Sequence, residues 1–212
     1  MDKHTMILGV ITTLTCLLLM VSGCTEQNNP TSESIQTILE KAVTIETVYY
    51  ELDMSTTIVG AVEQTTTMKI WQKTPYLKEQ QIITSGNITT TDTFIIRPEG
   101  VYLYNATQNT SELYMGMYLP QLSIAETIKD LLENQTLTTL GTETIAGLTA
   151  TVIQYTPNQR NSTTAKIWIW DEKGVPLKAQ YITDNEYTSV TMDYTYSNYS
   201  FADIPESTFS VN

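Results

Sequence analysis

Past position 24 the chain has neither cysteine nor histidine: Cys16, Cys24 and His4 are its only ones, and all lie in the first 24 residues. Without thiol or imidazole the main body cannot build a Cys-His dyad, a Ser-His-Asp triad or the common zinc sites. It also has no disulfide to staple it and must rely on its core. An enzyme here would have to work through carboxylates such as Glu143 or Asp171 with a distant partner, and no spacing points to one. The expectation is therefore a non-catalytic protein without cofactor or metal. Positive charge is also scarce. Eleven Lys and Arg stand against 23 Asp and Glu, for a net charge of -12. That balance repels a phosphate backbone and argues against nucleic acid. It equally disfavours electrostatic docking on anionic lipid heads, although acidity often serves only solubility.

Hydrophobic runs are short, with one exception. MILGVITTLTCLLLMV, residues 6–21, follows a charged start and precedes Ser22-Gly23-Cys24. The run is somewhat shorter than the ~20 residues of a spanning helix. A charged start, a short apolar stretch and small residues before a cut describe a secretory signal peptide. Val21-Ser22-Gly23-Cys24 resembles a lipobox: a branched apolar residue, two small residues and a cysteine. The small residues give a peptidase access to the backbone, and the thiol at the membrane surface can be alkylated by lipid. The resemblance implies a signal peptide over residues 1–23, lipid attachment at Cys24 and a polar tether over residues 24–33. The alternatives are an uncleaved membrane anchor and an internal core helix. Cys16, inside the run, reads as a small hydrophobe. Two lipid chains, at ~0.8 kcal/mol per buried methylene, would hold a domain stably on the extracytoplasmic face of the cell membrane.

Asn-X-Ser/Thr sequons stand at Asn87, Asn105, Asn109, Asn134, Asn161 and Asn198, while Asn29 is disqualified by the proline after it. A threonine-rich chain generates sequons by chance, but most of these fall at predicted turns or strand ends, where a glycan fits. Lipobox, sequons and an acidic, cysteine-free body together suggest an archaeal cell-surface glycoprotein. A bacterial lipoprotein is the open alternative.

In the body, apolar spacing predicts a helix opened by Ser32-Glu33-Ser34 and ending near Thr44 (Ile35, Ile38, Leu39, Ala42) and a second with Ser123 as its N-cap (Ile124, Ile128, Leu131, Leu132). Around them run alternating segments such as VYYELDMSTTIV and TSVTMDYTYSNYSF. The order is helix, meander of about six strands, helix, second meander. It predicts an α+β fold with one large antiparallel sheet of ~10–11 strands and helices against one face.

Several stretches in this order resemble the lipoprotein-carrier (LolA-like) superfamily: KIWQKTPYLKEQ, RPEGVYLYNATQNTSELY, LGTETIAGLTATVIQYTP, AKIWIWDEKGVPLKAQY and DIPESTFSV, spread over residues 34–212. The resemblance implies a strongly curved, incomplete β-barrel over those residues with helices across its concave side. It further implies a hollow that binds or carries a lipid or other hydrophobic ligand. Because this chain carries a lipobox, it is more similar to the anchored, surface lipid-binding members than to the free periplasmic shuttle. Related folds also serve as sensory or protein-interaction domains at the cell envelope, which is the alternative function. No particular protein partner is indicated.

The alternating residues expected to line such a cavity are Leu52, Met54, Met68, Ile70, Leu103, Met115, Ile167, Ile169, Leu177 and Met192. Methionine suits a deformable wall, and an acyl or isoprenoid chain is the ligand it would accept. The same residues would equally serve as the packed core of a closed sheet. Trp71, Trp168 and Trp170 fall on the opposite face, either as a contact surface or packed beneath other chain. Asp171-Glu172-Lys173-Gly174 reads as a hairpin turn rather than a calcium loop.

Overall fold

The computed structural model describes residues 33–58, 64–114, 123–157, 163–184 and 189–211. The described body falls within one unit, Ser34–Asn212. Its first element is helix α1 (Ile35–Val43). Six strands follow: β1 (Thr47–Ile58), β2 (Gln64–Lys73), β3 (Tyr76–Ser85), β4 (Ile88–Arg97), β5 (Gly100–Asn105) and β6 (Thr110–Leu113). Then come helix α2 (Ile124–Asn134) and strands β7 (Thr138–Ile145), β8 (Leu148–Tyr155), β9 (Thr163–Trp170), β10 (Pro176–Asp184) and β11 (Ser189–Ser200). A 3-10 turn, Glu206–Phe209, stands near the end.

All eleven strands form one antiparallel sheet in the order β6-β5-β4-β3-β2-β1-β11-β10-β9-β8-β7. The two meanders meet where β1 pairs with β11, so the first and last strands are central and β6 and β7 are the edges. The sheet is open. Right-handed twist accumulated over so many strands curves it into an incomplete barrel with both helices on the concave side.

The helices start where their caps dictate. The Ser34 hydroxyl accepts from the Thr37 N–H at 3.2 Å. Ser123 and Glu126 form a reciprocal capping box. Ile38, Leu39 and Ala42 of α1 and Ile124, Ile128 and Leu131 of α2 are buried in one cluster with Val48, Tyr50, Leu52, Ile70, Ile153 and Ile169 from the sheet. The Ile124 N–H donates to Gln72 Oε1 at 3.4 Å, fixing the start of α2 over β2.

The turn between β9 and β10 clamps α1. Gly174 sits at φ +72°, and a Cβ there would lie 2.2 Å from the Ile38 carbonyl oxygen, so the helix rests on bare backbone. Beside it, Lys41 Nζ donates to the Asp171 carbonyl at 2.7 Å. The Asp171 carboxylate accepts from the Thr151 N–H at 2.7 Å, tying the turn back to β8. The segment expected as a hairpin turn is thus a turn that also seats a helix.

Candidate functional site

The register defines a continuous concave surface. Along β1 it carries Val48, Tyr50, Leu52, Met54 and Thr56, paired in that order with Gln72, Ile70, Met68, Thr66 and Gln64 on β2. On the other side Leu52, Met54 and Thr56 face Tyr196, Tyr194 and Met192 of β11. Those in turn lead through Ala179 and Tyr181 of β10 to Ile167 and Ala165 of β9. The half nearest the start of β1 is sealed: Val48, Tyr50, Leu52 and Ile70 are buried in the cluster that holds both helices. Toward the other end of β1 the same face opens, and Met54, Thr56, Tyr181, Val190, Met192 and Tyr194 are only half-buried. This half-covered floor of methionine and tyrosine is the candidate binding surface.

Tyrosine gives the floor polar points. On β9, Ala165 lies between Tyr155 of β8 and Tyr181 of β10. Its single methyl leaves room for the two phenols to approach, and their hydroxyls are 3.3 Å apart. The Tyr181 and Tyr194 rings meet edge-on at 5.5 Å, and the Tyr194 hydroxyl donates to Met192 Sδ at 3.8 Å. Above them Tyr50 stacks on Tyr199 at 5.6 Å and lies 6.1 Å from Tyr196. Burial pushes the phenol pKa values of Tyr50, Tyr155, Tyr194, Tyr196 and Tyr199 upward, with neighbouring phenols, Glu79 at Tyr50 and Asp130 at Tyr155 adding to it. These groups stay neutral and act as hydrogen-bonding phenols.

Of the residues expected to line a cavity, Leu52, Met68, Ile70, Ile167 and Ile169 are buried in the helix-covered cluster, with Met54 packed against it. Leu103 and Met192 lie in register on the same face and are half-buried. Leu177 is a correction. The register slips between Pro176 and Lys178, which turns Leu177 to the convex side, where it packs with Ala150, Val152 and Trp168. Met115 lies outside the described residues, as do Cys24 and Asn161. Sequence reasoning passed over the tyrosines. The signal was present, because two-residue spacing from Met192 places Tyr194 and Tyr196 on its face.

The convex face holds the tryptophans, and they are packed. Trp168 is buried, donates from Nε1 to Glu143 at 2.8 Å, and lies under the ammonium groups of Lys166 and Lys178 at 4.4 and 4.9 Å. Trp71 packs on Tyr49 at 5.2 Å with Lys78 above it. Glu143 also pairs with Lys166 at 3.6 Å. Both carboxylates considered for catalysis, Glu143 and Asp171, therefore hold strands and turns together. A cleft of about 370 Å³ lies between Tyr76, Arg97 and the 3-10 turn, and its Arg97 is already engaged by Glu99 at 2.6 Å.

The sequons differ in their surroundings. Asn87 is exposed at the β3–β4 turn. Asn105 accepts from the Thr107 and Gln108 N–H groups at 3.0 and 3.1 Å, and Asn109 accepts from the Tyr104 hydroxyl at 2.9 Å. Asn134 is the last residue of α2. Asn198, at φ +54° in β11, donates to Glu51 at 2.9 Å.

No protein-family model and no curated protein matches the chain. Solved structures do. A chain of the Pseudomonas aeruginosa MucA/MucB complex is similar at a TM-score of 0.51 and 13% identity, over 84% of this chain and 61% of that one. This chain therefore spans less than two thirds of that protein's length. A conserved protein of Thermus thermophilus matches at a TM-score of 0.51 and 12% identity, over 84% of this chain and 93% of that one. A LolA superfamily protein from Nitrosomonas europaea matches over 84% and 98% with 14% identity, but at a TM-score of 0.36 that superposition is loose. At such identities the likeness is one of fold.

Proposed function

We propose that this protein is a cell-surface lipoprotein whose half-barrel binds or carries a hydrophobic ligand without catalysis. The observation that carries this reading is the half-covered floor of Met54, Met192, Tyr181 and Tyr194, left open where the helix-covered core ends. A methionine-rich surface repacks cheaply around an apolar chain. In the same reading residues 1–23 are a signal peptide, Cys24 bears the lipid and residues 24–33 are the tether that leaves the domain outside the membrane. Sequons exposed at turns, Asn87 foremost, carry glycans.

The test is native mass spectrometry of protein gently extracted from its membrane, together with titration by an apolar fluorescent probe. Co-purifying lipid or saturable probe binding, lost on substituting Met54 and Met192 by Asp, is the expected result. Absence of both would refute ligand binding.

A second reading, a protein-interaction or sensory domain at the envelope, is favoured by one finding: a neighbour in fold belongs to a complex with a protein partner. Under it the same substitutions would leave function intact, and crosslinking would capture a protein.

A further inference from the structure

The two faces of the sheet differ in where their cations lie. Every lysine and arginine described on a strand, namely Lys69, Lys73, Lys78, Arg97, Lys166 and Lys178, falls on the convex side by register. There they are taken up by Glu51, Asp203, Glu99 and Glu143 or by the faces of Trp71, Tyr76 and Trp168. The concave side has carboxylates without strand cations: Glu79, which is buried beside Gln81, and Asp92 opposite Gln81. From the helix side Asp130 acts on Tyr155. Lys41 of α1 is spent on the Asp171 carbonyl, and Lys129 of α2 is exposed and pairs with Glu133.

An anionic headgroup entering this hollow would leave water, meet no strand cation and approach like charges. Both effects oppose it, because a buried charge needs a partner and Coulomb repulsion grows as the dielectric falls. The hollow does offer phenol hydroxyls, at Tyr155 and Tyr181 and again at Tyr194. A phenol can donate to or accept from a neutral oxygen.

Resting on the reading of the hollow as a ligand site, we infer that its ligand is an uncharged amphiphile. Its apolar chain lies on Met54 and Met192, and its hydroxyl, ether or ester oxygen hydrogen-bonds the Tyr155–Tyr181 pair. Anionic lipids are excluded.

Geranylgeraniol and geranylgeranyl phosphate share one chain and differ in charge. Each is titrated against the full-length protein by displacement of an apolar fluorescent probe. The alcohol is expected to bind at least tenfold more tightly, with the gap narrowing as salt rises. Tyr155→Phe and Tyr181→Phe should each weaken the alcohol about three- to tenfold, the value of one hydrogen bond, measured against each variant's own affinity for the probe. Thr56→Lys, which puts a cation on the concave face, should improve the phosphate and not the alcohol. Equal or tighter binding of the phosphate to the unaltered protein overturns the charge inference but leaves the hollow as a ligand site. Failure of the probe and both compounds overturns the site itself, and this inference with it.

Discussion

At the scale of single residues, the fold depends on small side chains in places where large ones cannot go. Gly174 combines a positive φ with the backbone of α1 directly against it. Neither the Cβ strain nor the clash can be relieved by a rotamer change. Gly174→Ala is therefore expected to cost about 2–4 kcal/mol, read from the midpoint of denaturant unfolding. The turn itself was legible in Asp171-Glu172-Lys173-Gly174, but its second task was not, since nothing local says that a helix from 130 residues earlier in the chain lands on it. The same holds for Ala165, an ordinary strand alanine until the register shows two tyrosines reaching over it. Leu177 shows the opposite failure. Alternation with Ala179 and Tyr181 puts it on the concave face, and a single slipped residue in the ladder reverses that.

At the scale of elements, both helices could be read in advance because their signals are local: a serine cap followed by apolar residues at helical spacing. The α2 capping box satisfies two N–H groups at an end that also docks on Gln72. Ser123→Ala should lower stability by about 1 kcal/mol in thermal or denaturant unfolding. The closing segment is anchored from outside the sheet. Phe209 is buried and stacks on Tyr76 at 5.7 Å, while Lys73 donates to Asp203 and to the Ile204 carbonyl, each at 2.9 Å. Phe209→Ala should cost about 3 kcal/mol by the same measurement, as for other buried aromatics. Proteolysis should then begin in the freed C-terminal segment.

At the scale of the whole molecule, buried tyrosine makes alkali the natural denaturant. The phenols of Tyr50, Tyr155, Tyr194, Tyr196 and Tyr199 hold their protons more tightly folded than unfolded, and burial together with a hydrogen bond to Glu51 pushes Tyr49 up to about 12. Unfolding releases those protons. Stability is therefore complete below the ordinary phenol pKa of about 10 and falls as pH rises above it. Tyrosinate absorbance and the circular-dichroism signal should change together in one cooperative step well above pH 10. Non-coincident transitions would show that the phenols titrate in the folded state. The turns also share a direction. The β3–β4 turn with Asn87 and the β5–β6 turn with Asn105 and Asn109 lie toward the end of the sheet where the concave floor is half-exposed. Glycopeptide mapping should find Asn87 occupied and Asn198 bare, because the latter's amide is held by Glu51 within a central strand.

Properties that depend on near neighbours or on totals are written in the residues themselves: the helix starts, the alternating strands, the absence of thiol and imidazole from the body, and the acidic balance. Folding in three dimensions joined the first and last strands in the middle of one sheet. It also put every described strand cation on one side of that sheet and gathered tyrosines from β1, β8, β10 and β11 on the other. Periodicity states which residues share a face of a strand, but pairing partners far apart in the chain and slips in the ladder determine which faces join into one surface.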